Sequence, residues 1–261
     1  VNVHRTSPRQ LMRRLIRLAI AVAVVLGLGM GTGFIDPHNP TDAITRYLSV
    51  LSPASADAPP PTTDPVDAAH VQALLRTASV VPTMNEEPGY QRSCRKGKGC
   101  VFGPAWTDDS DAALSHNGCD TRNDILRSQL THVQLDPKTR GCTVLSGVLD
   151  PDPYTGAVLQ FRKGTTSSDI EIDHVFPLEA AWHAGAHNWP LAKRVSFAND
   201  PSNLLAADGS ANSAKGSKPI AEWLPPNPDY VCTYIATYLQ VAVNYQLPIT
   251  TADQGTAQRH C

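Results

Sequence analysis

The sequence predicts an α+β fold, rich in irregular connections and stapled by disulfides, with a strand, a strand and a helix bringing polar residues together at its centre. Three observations predict it. Apolar and polar residues alternate over "CTVLSGVLDPDPYTGAVLQFRKG" but recur at helical spacing over "DYVCTYIATYLQVAVNYQL", so strands and helices occupy separate stretches. The 22 prolines and 17 glycines break the chain into short elements. Six cysteines, none in a C-x-x-C pair, read as three disulfides rather than a zinc or redox motif. With 41% hydrophobic residues, the 261-residue chain can bury a sizeable core.

Residues 1–35 form a leader. Arg5, Arg9, Arg13, Arg14 and Arg17 precede "LAIAVAVVLGLGMGTGFI", an uncharged run of 18 residues. That run is near the lower limit of roughly 17 to 25 for a spanning helix, with the arginines on the cytoplasmic side. The tidiest cleavage site, Ala54-Ser55-Ala56, comes late for a signal peptide, which favours an uncleaved anchor; Met12 before "RRLIR" offers a shorter, more typical signal start. Both readings, signal peptide and membrane anchor, place the rest of the chain outside the cytoplasm. Residues 36–66, including "LSPASADAPPPTTDPVD", make a disordered Pro/Ala-rich linker.

Residues 67–89 read as a short helical lead-in, with Asp67 as cap and Ala69, Leu74, Leu75 and Ala78 on one face. The domain proper runs from 90 to 261. Its hairpin turns at "DPDPYTG" and leads into "EIDHVFPLEAAW", a strand that Pro177 stops. Near the end, Val231, Ile235, Tyr238, Leu239 and Ala242 share a helix face, and Pro248 ends the helix. Fifteen pairings of the six cysteines are open, and sequence order suggests Cys94 with Cys100, Cys119 with Cys142, and Cys232 with Cys261. Such bridges belong to an oxidising compartment.

Chemistry concentrates in one constellation. Asp173 and His174 are adjacent; Asn203 and Asn212 follow nine residues apart, with Lys215 three further on. The first interval fits a short strand "NLLAA" and a turn "DGS", the second one helical turn. The blocks "NGCDTRNDIL", "EIDHVFPLEAAW", "FANDPSNLLAADGSANSAKG" and "AEWLPPN" resemble the HNH (His-Asn-His) endonuclease superfamily, whose site is built on a ββα-metal scaffold. More closely, they resemble exported bacterial HNH-family nucleases, similar to the C-terminal nuclease domain of GmrSD-type restriction enzymes. The resemblance covers about residues 90 to 261.

It implies that His174 is a general base, that Asp173 and Asn212 bind one divalent metal, and that Asn203 orients the histidine loop. The chemistry independently asks for these residue types. A phosphodiester resists hydroxide, so hydrolysis needs a cation to neutralise developing charge and a base of near-neutral pKa to activate water. Asp and Asn oxygens suit Mg²⁺, with Mn²⁺ as the other candidate. Asn212 stands where the family name has a final histidine, which argues against a nitrogen-rich zinc site. Lys215, by its spacing from Asn212, and Arg122, flanked by Asp120 and Asp124, are candidate phosphate contacts; a salt-bridged turn is an equal reading for Arg122.

Other residues carry less. Glu171 reads as a structural or solvent-facing acid. His183 and His187, four apart on an expected helix, read as surface residues rather than metal ligands. Trp182, Trp189 and Trp223 read as core or lid. Residues 57–261 carry 16 Lys+Arg against 22 Asp+Glu, a net of −6, so any nucleic-acid binding is local and weak. The "RKGK" loop (Arg95, Lys96, Lys98) is one candidate patch. With no base-reading module alongside, the expected activity is a secreted or membrane-tethered, monomeric nuclease acting on DNA or RNA with little sequence preference. The alternative is a non-catalytic cell-surface binding module that kept the fold.

Overall fold

The computed structural model describes residues 68–261; the leader, the linker and the Asp67 cap lie outside them. Among the described residues no helix is long and apolar enough to cross a membrane. Helix α1 (Ala68–Thr77) leads into the short strand β1 (Val80–Val81). Helix α2 (Thr121–Gln129) precedes β2 (Thr131–Leu135), β3 (Val144–Leu149), β4 (Leu159–Arg162) and β5 (Ile170–His174). Then come α3 (Leu178–His183), α4 (Leu191–Ala198), β6 (Leu204–Asp208) and α5 (Gly209–Lys215). The long helix α6 (Val231–Tyr245), β7 (Ile249–Thr250) and α7 (Thr251–His260) close the chain.

Strands β3 and β4 form the expected antiparallel hairpin, with Leu149 opposite Leu159, and β2 adds a third antiparallel strand that the sequence reading missed. β5 and β6 make a separate antiparallel pair, Ile170 facing Asp208 and His174 facing Leu204. This pair lies between two apolar clusters. Ile170, Ile172, Leu204 and Ala206 pack with Ile125, Leu126 and Phe161 on one side. Leu205 and Ala207 pack with Phe176, Phe197, Tyr234 and Leu239 on the other. Successive strand residues point to opposite faces, so a strand buried on both sides reads as a continuous apolar run, as "LLAA" does. In β5 the second face instead carries Glu171 and Asp173, and these two acids define the site.

The lead-in helix packs into the same core as α6, through Val71, Leu74 and Leu75. Ala69 is exposed, and Val71 takes its expected place on the buried face. All three disulfides join the pairs that sequence order gave, Cys94–Cys100, Cys119–Cys142 and Cys232–Cys261. His183 and His187 do not share a helix: α3 ends at His183, and Gly185, at φ 122°, turns the chain into a separate 3-10 turn.

Candidate active site

The strand–helix step from β6 to α5 is tighter than the expected strand, turn and helix. Asp208 ends β6 and also caps α5, its carboxylate accepting from the Ala211 amide at 2.8 Å. Gly209 lies so close to the Ser168 carbonyl oxygen that a Cβ there would overlap it. With no spare residue in the turn, α5 runs directly alongside β5. Two residues along a strand advance roughly 6.6 Å and three along a helix roughly 4.5 Å, near enough for two successive rungs to form. Asn212 Nδ2 donates to Glu171 Oε2 at 2.8 Å, and Lys215 Nζ donates to Asp173 Oδ1 at 2.9 Å. Glu171, which had no firm role in the sequence, thus orients Asn212.

Asp173 and Lys215 are 5% and 0% exposed. The ammonium donates a second bond to the His174 carbonyl at 2.8 Å, and the other Asp173 oxygen accepts from the Tyr154 hydroxyl at 2.5 Å. Burial pulls the Lys215 pKa down and Asp173 pulls it back up. Burial and the Asp173 charge hold the Tyr154 hydroxyl well above its ordinary pKa, so it remains a donor. Burying two charges costs several kcal/mol each unless pairing and further hydrogen bonds offset it, and this arrangement supplies both. Lys215, expected as a phosphate contact, is therefore an internal counter-ion of Asp173.

Tyr154 comes from the "DPDPYTG" turn, which looked like a plain connection. Asp152, fully buried, organises it: one carboxylate oxygen accepts from the Thr155 amide and hydroxyl at 2.7 and 2.6 Å, the other from the Asp208 amide at 2.9 Å. The turn is thereby tied to the start of α5, with Tyr154 beneath Tyr234 and Trp223 in edge-on packing.

His174 ends β5. Its Nε2 meets the Ala198 carbonyl at 2.8 Å, so that nitrogen carries the proton and donates. Nδ1 is left as the acceptor and has no hydrogen-bond partner among the described residues. Trp106 stacks on the ring, centroids 5.6 Å apart and planes within 11°. Burial pushes the imidazole pKa down to about 4, against smaller upward pulls from the Ala198 bond and Asp173, so the ring is neutral at pH 7 but a weaker base than the near-neutral one expected from the chemistry. Asn203, fully buried, fixes the backbone just beyond. Its Oδ1 accepts from the Phe176 amide at 2.7 Å, its Nδ2 donates to the Phe176 carbonyl at 3.1 Å, and its own carbonyl accepts from the Val175 amide.

Asp173, His174, Asn212 and Lys215 line one cleft of about 530 Å³, shared with Tyr90, Arg92, Trp106 and Glu179. Arg122 is not among its lining residues. Its Nη2 donates to the Ser167 and Ile170 carbonyls at 3.1 and 3.2 Å, and the guanidinium lies 5.7 Å from the Phe161 ring, so it clamps the approach to β5. His183 Nδ1 accepts from the Glu87 amide, and His187 Nδ1 donates to the Trp182 carbonyl, so both rings have structural tasks. The cleft residues Trp106 and Arg92, and Tyr154, which is buried against Asp173 outside the cleft lining, escaped sequence reasoning. Only the interrupted aromatic-basic pattern "YQR…GPAW" could have pointed to two of them.

The oxygen donors open to a hard divalent cation are those of Asp173, which is already paired with Lys215, and Asn212. Each Asp173 oxygen keeps a second lone pair, and Asn212, whose Nδ2 is spent on Glu171, keeps Oδ1 as acceptor. Two protein oxygens suit an ion that retains several waters. Among the described residues no group of three or more His, Cys, Asp or Glu could hold a metal ion.

An α+β domain with an Asp–His strand end, an Asn-bearing helix beside it and a cleft over both defines a class that comparison makes specific. Residues 120–256 match the family described as GmrSD restriction endonucleases, C-terminal domain, and the chain belongs to that family. An uncharacterized secreted protein of Arthroderma benhamiae is 34% identical over 210 residues, covering 80% of this chain and 92% of that protein. That relative is fungal, so the expected affiliation with exported bacterial nucleases gains no support from it. No solved structure matches.

Proposed function

We propose that this protein is an exported, metal-dependent endonuclease that hydrolyses phosphodiester bonds of DNA or RNA with little sequence preference, and that β5, β6 and α5 are its ββα-metal core. The observation that carries the reading is the neutral His174, with Nδ1 unspent, in one cleft with Asp173 and Asn212. Family membership and a relative described as secreted support it, as do three disulfides.

Asp173 and Asn212 would hold Mg²⁺ or Mn²⁺, whose charge would lower the barrier by countering the negative charge that develops on the phosphoryl oxygens. His174 Nδ1 takes the proton from the attacking water, while the Nε2–H bond to Ala198 keeps the tautomer and the stack on Trp106 keeps the ring plane. Asn203 keeps the loop after His174 from shifting. Glu171 and Lys215 hold the two oxygen donors in place.

A non-catalytic binding module is the second reading, and the observation favouring it is that Lys215 and Tyr154 already engage both Asp173 oxygens. Incubating the purified protein with plasmid DNA and with a folded RNA, in Mg²⁺, in Mn²⁺ and in chelator, decides between them. Cleavage in metal alone, reduced about 10² to 10⁴-fold in His174→Ala, is expected. Intact nucleic acid in both metals would refute the enzyme reading.

A further inference from the structure

Arg92 is, beside His174, a cleft residue whose chemistry the fold leaves unspent. It lines the same cleft as Asp173 and His174, is half-buried, and uses one of its five N–H donors on the Gly103 carbonyl at 2.8 Å. Among the described residues no carboxylate lies within ion-pair distance of it. Lys215, the other cation of the cleft, is committed to Asp173, so the two have different fates: one charge is neutralised internally, the other stands open.

Its backbone is braced. Val101 and Cys100 amides donate to the Gln91 and Ser93 carbonyls at 3.1 Å each, and the Gly99 amide donates to Gln91 Oε1 at 2.8 Å. The Cys94–Cys100 bridge closes this narrow loop six residues after it opens. At its tip Arg95, Lys96 and Lys98 are exposed, in a chain whose net charge from residue 57 onward is −6. A stapled loop thus carries one cation into the cleft wall and three more outward. A planar guanidinium with several free donors matches the paired oxygens of a phosphate.

We propose that Arg92 binds a backbone phosphate of the substrate strand in the His174 cleft, and that the Cys94–Cys100 loop is the arm whose Arg95, Lys96 and Lys98 engage the phosphates flanking it. The inference rests on the nuclease reading for its substrate, but its test is partly independent of cleavage. Arg92→Gln keeps a donor for Gly103 without the charge, Arg92→Lys keeps the charge, and the triple variant Arg95→Ala/Lys96→Ala/Lys98→Ala strips the tip.

Two measurements are made on each full-length protein: binding of a fluorescent single-stranded oligonucleotide in chelator across a salt series, and steady-state cleavage in Mg²⁺. Arg92→Gln should reduce kcat/KM about 10² to 10³-fold and flatten the log K against log salt slope by about 0.7, with the melting temperature unchanged. Arg92→Lys should recover at least tenfold of that loss. The triple variant should flatten the slope by roughly 2 and raise KM at unchanged kcat.

A wild-type slope and activity in Arg92→Gln overturn the proposal. So does a loss of cleavage in Arg92→Gln at a wild-type salt slope, because the residue would then act on the fold or the catalytic groups and not on a phosphate. A wild-type protein that binds the oligonucleotide but cleaves nothing refutes the nuclease reading while the slopes still decide for or against Arg92; one that neither binds nor cleaves refutes both.

Discussion

Replacing Lys215 with methionine removes the ammonium but keeps most of the stem that fills its buried position. Asp173, 5% exposed, then loses its 2.9 Å partner and keeps only the Tyr154 hydroxyl, and the His174 carbonyl loses a 2.8 Å donor. Breaking a buried pair from one side costs about 3 to 5 kcal/mol because the remaining charge stays desolvated. A protein of this size typically has about 5 to 15 kcal/mol in total, so the variant should lose about a fifth or more of its stability. The melting temperature should fall by roughly 6 to 20 °C, at about 2 to 4 °C per kcal/mol. The assay is urea unfolding followed by tryptophan fluorescence in chelator. Removing both charges, in Asp173→Asn/Lys215→Met, should restore most of the loss, because neutral groups of similar shape incur no unpaired-charge penalty. A further arm tests the assignment of Asp173. Freed of its ammonium, that carboxylate should bind Mg²⁺ more tightly, so millimolar Mg²⁺ should stabilise Lys215→Met more than wild type. A single variant within 1 kcal/mol of wild type, or a double variant as unstable as the single, would refute the argument from a buried ion pair.

Other perturbations test neighbouring parts. Asn203→Ala deletes both side-chain bonds to buried Phe176 and should cost about 2 to 4 kcal/mol by urea unfolding; a loss below 1 kcal/mol would mean that the loop after His174 does not depend on them. The His174 pKa, about 4 in the fold against 6.5 for the free side chain, means that the unfolded chain binds more protons between those values. Stability in chelator should therefore rise with pH from about 4 to 6.5 and be lost as pH falls through that window, by at most about 3 kcal/mol. His174→Gln should remove this slope, and an unchanged slope would assign it to other groups. Cys119→Ser/Cys142→Ser opens a loop with a sequence separation of 23 and should cost about 3 kcal/mol, read as a lower urea midpoint.

What the sequence made legible was local. The interval from Asn212 to Lys215 is one helical turn and stays so in α5, and the alternation around "DPDPYTG" becomes the β3–β4 hairpin. Helix α6 starts at the expected Val231 and ends at Gln246 in a left-handed conformation, two residues before Pro248. In each case the signal is a period that a few neighbouring residues carry by themselves. The missed strand β2 has no such period: its residues are mostly half-exposed or exposed, and its register against β3 is irregular. Tyr154, Trp106 and Arg92 were illegible for another reason. Their places, Trp106 and Arg92 in the cleft wall and Tyr154 buried against Asp173, come from chain segments 20 to 82 residues before His174, and nothing near Tyr154 in sequence distinguishes a site tyrosine from a core one.

The reading of Lys215 shows how this matters for function. From sequence, a lysine near a proposed metal-binding asparagine looks like a substrate contact; whether it faces water or Asp173 depends on how tightly β6 turns into α5, which Gly209 decides through its approach to Ser168. Once that turn is made, the polar residues of the site satisfy one another in fixed sets, Glu171 with Asn212, and Asp173 with Lys215 and Tyr154. These sets cannot at the same time be the flexible contacts to a substrate. Beside the acceptor lone pairs that Asp173 and Asn212 keep, the capacity left over lies on His174 Nδ1, which has a lone pair and no partner among the described residues, and on Arg92, which has donors and no counter-ion among them. In the proposed reading His174 would be the base and Arg92 the cation that face an anionic phosphodiester in the cleft they both line.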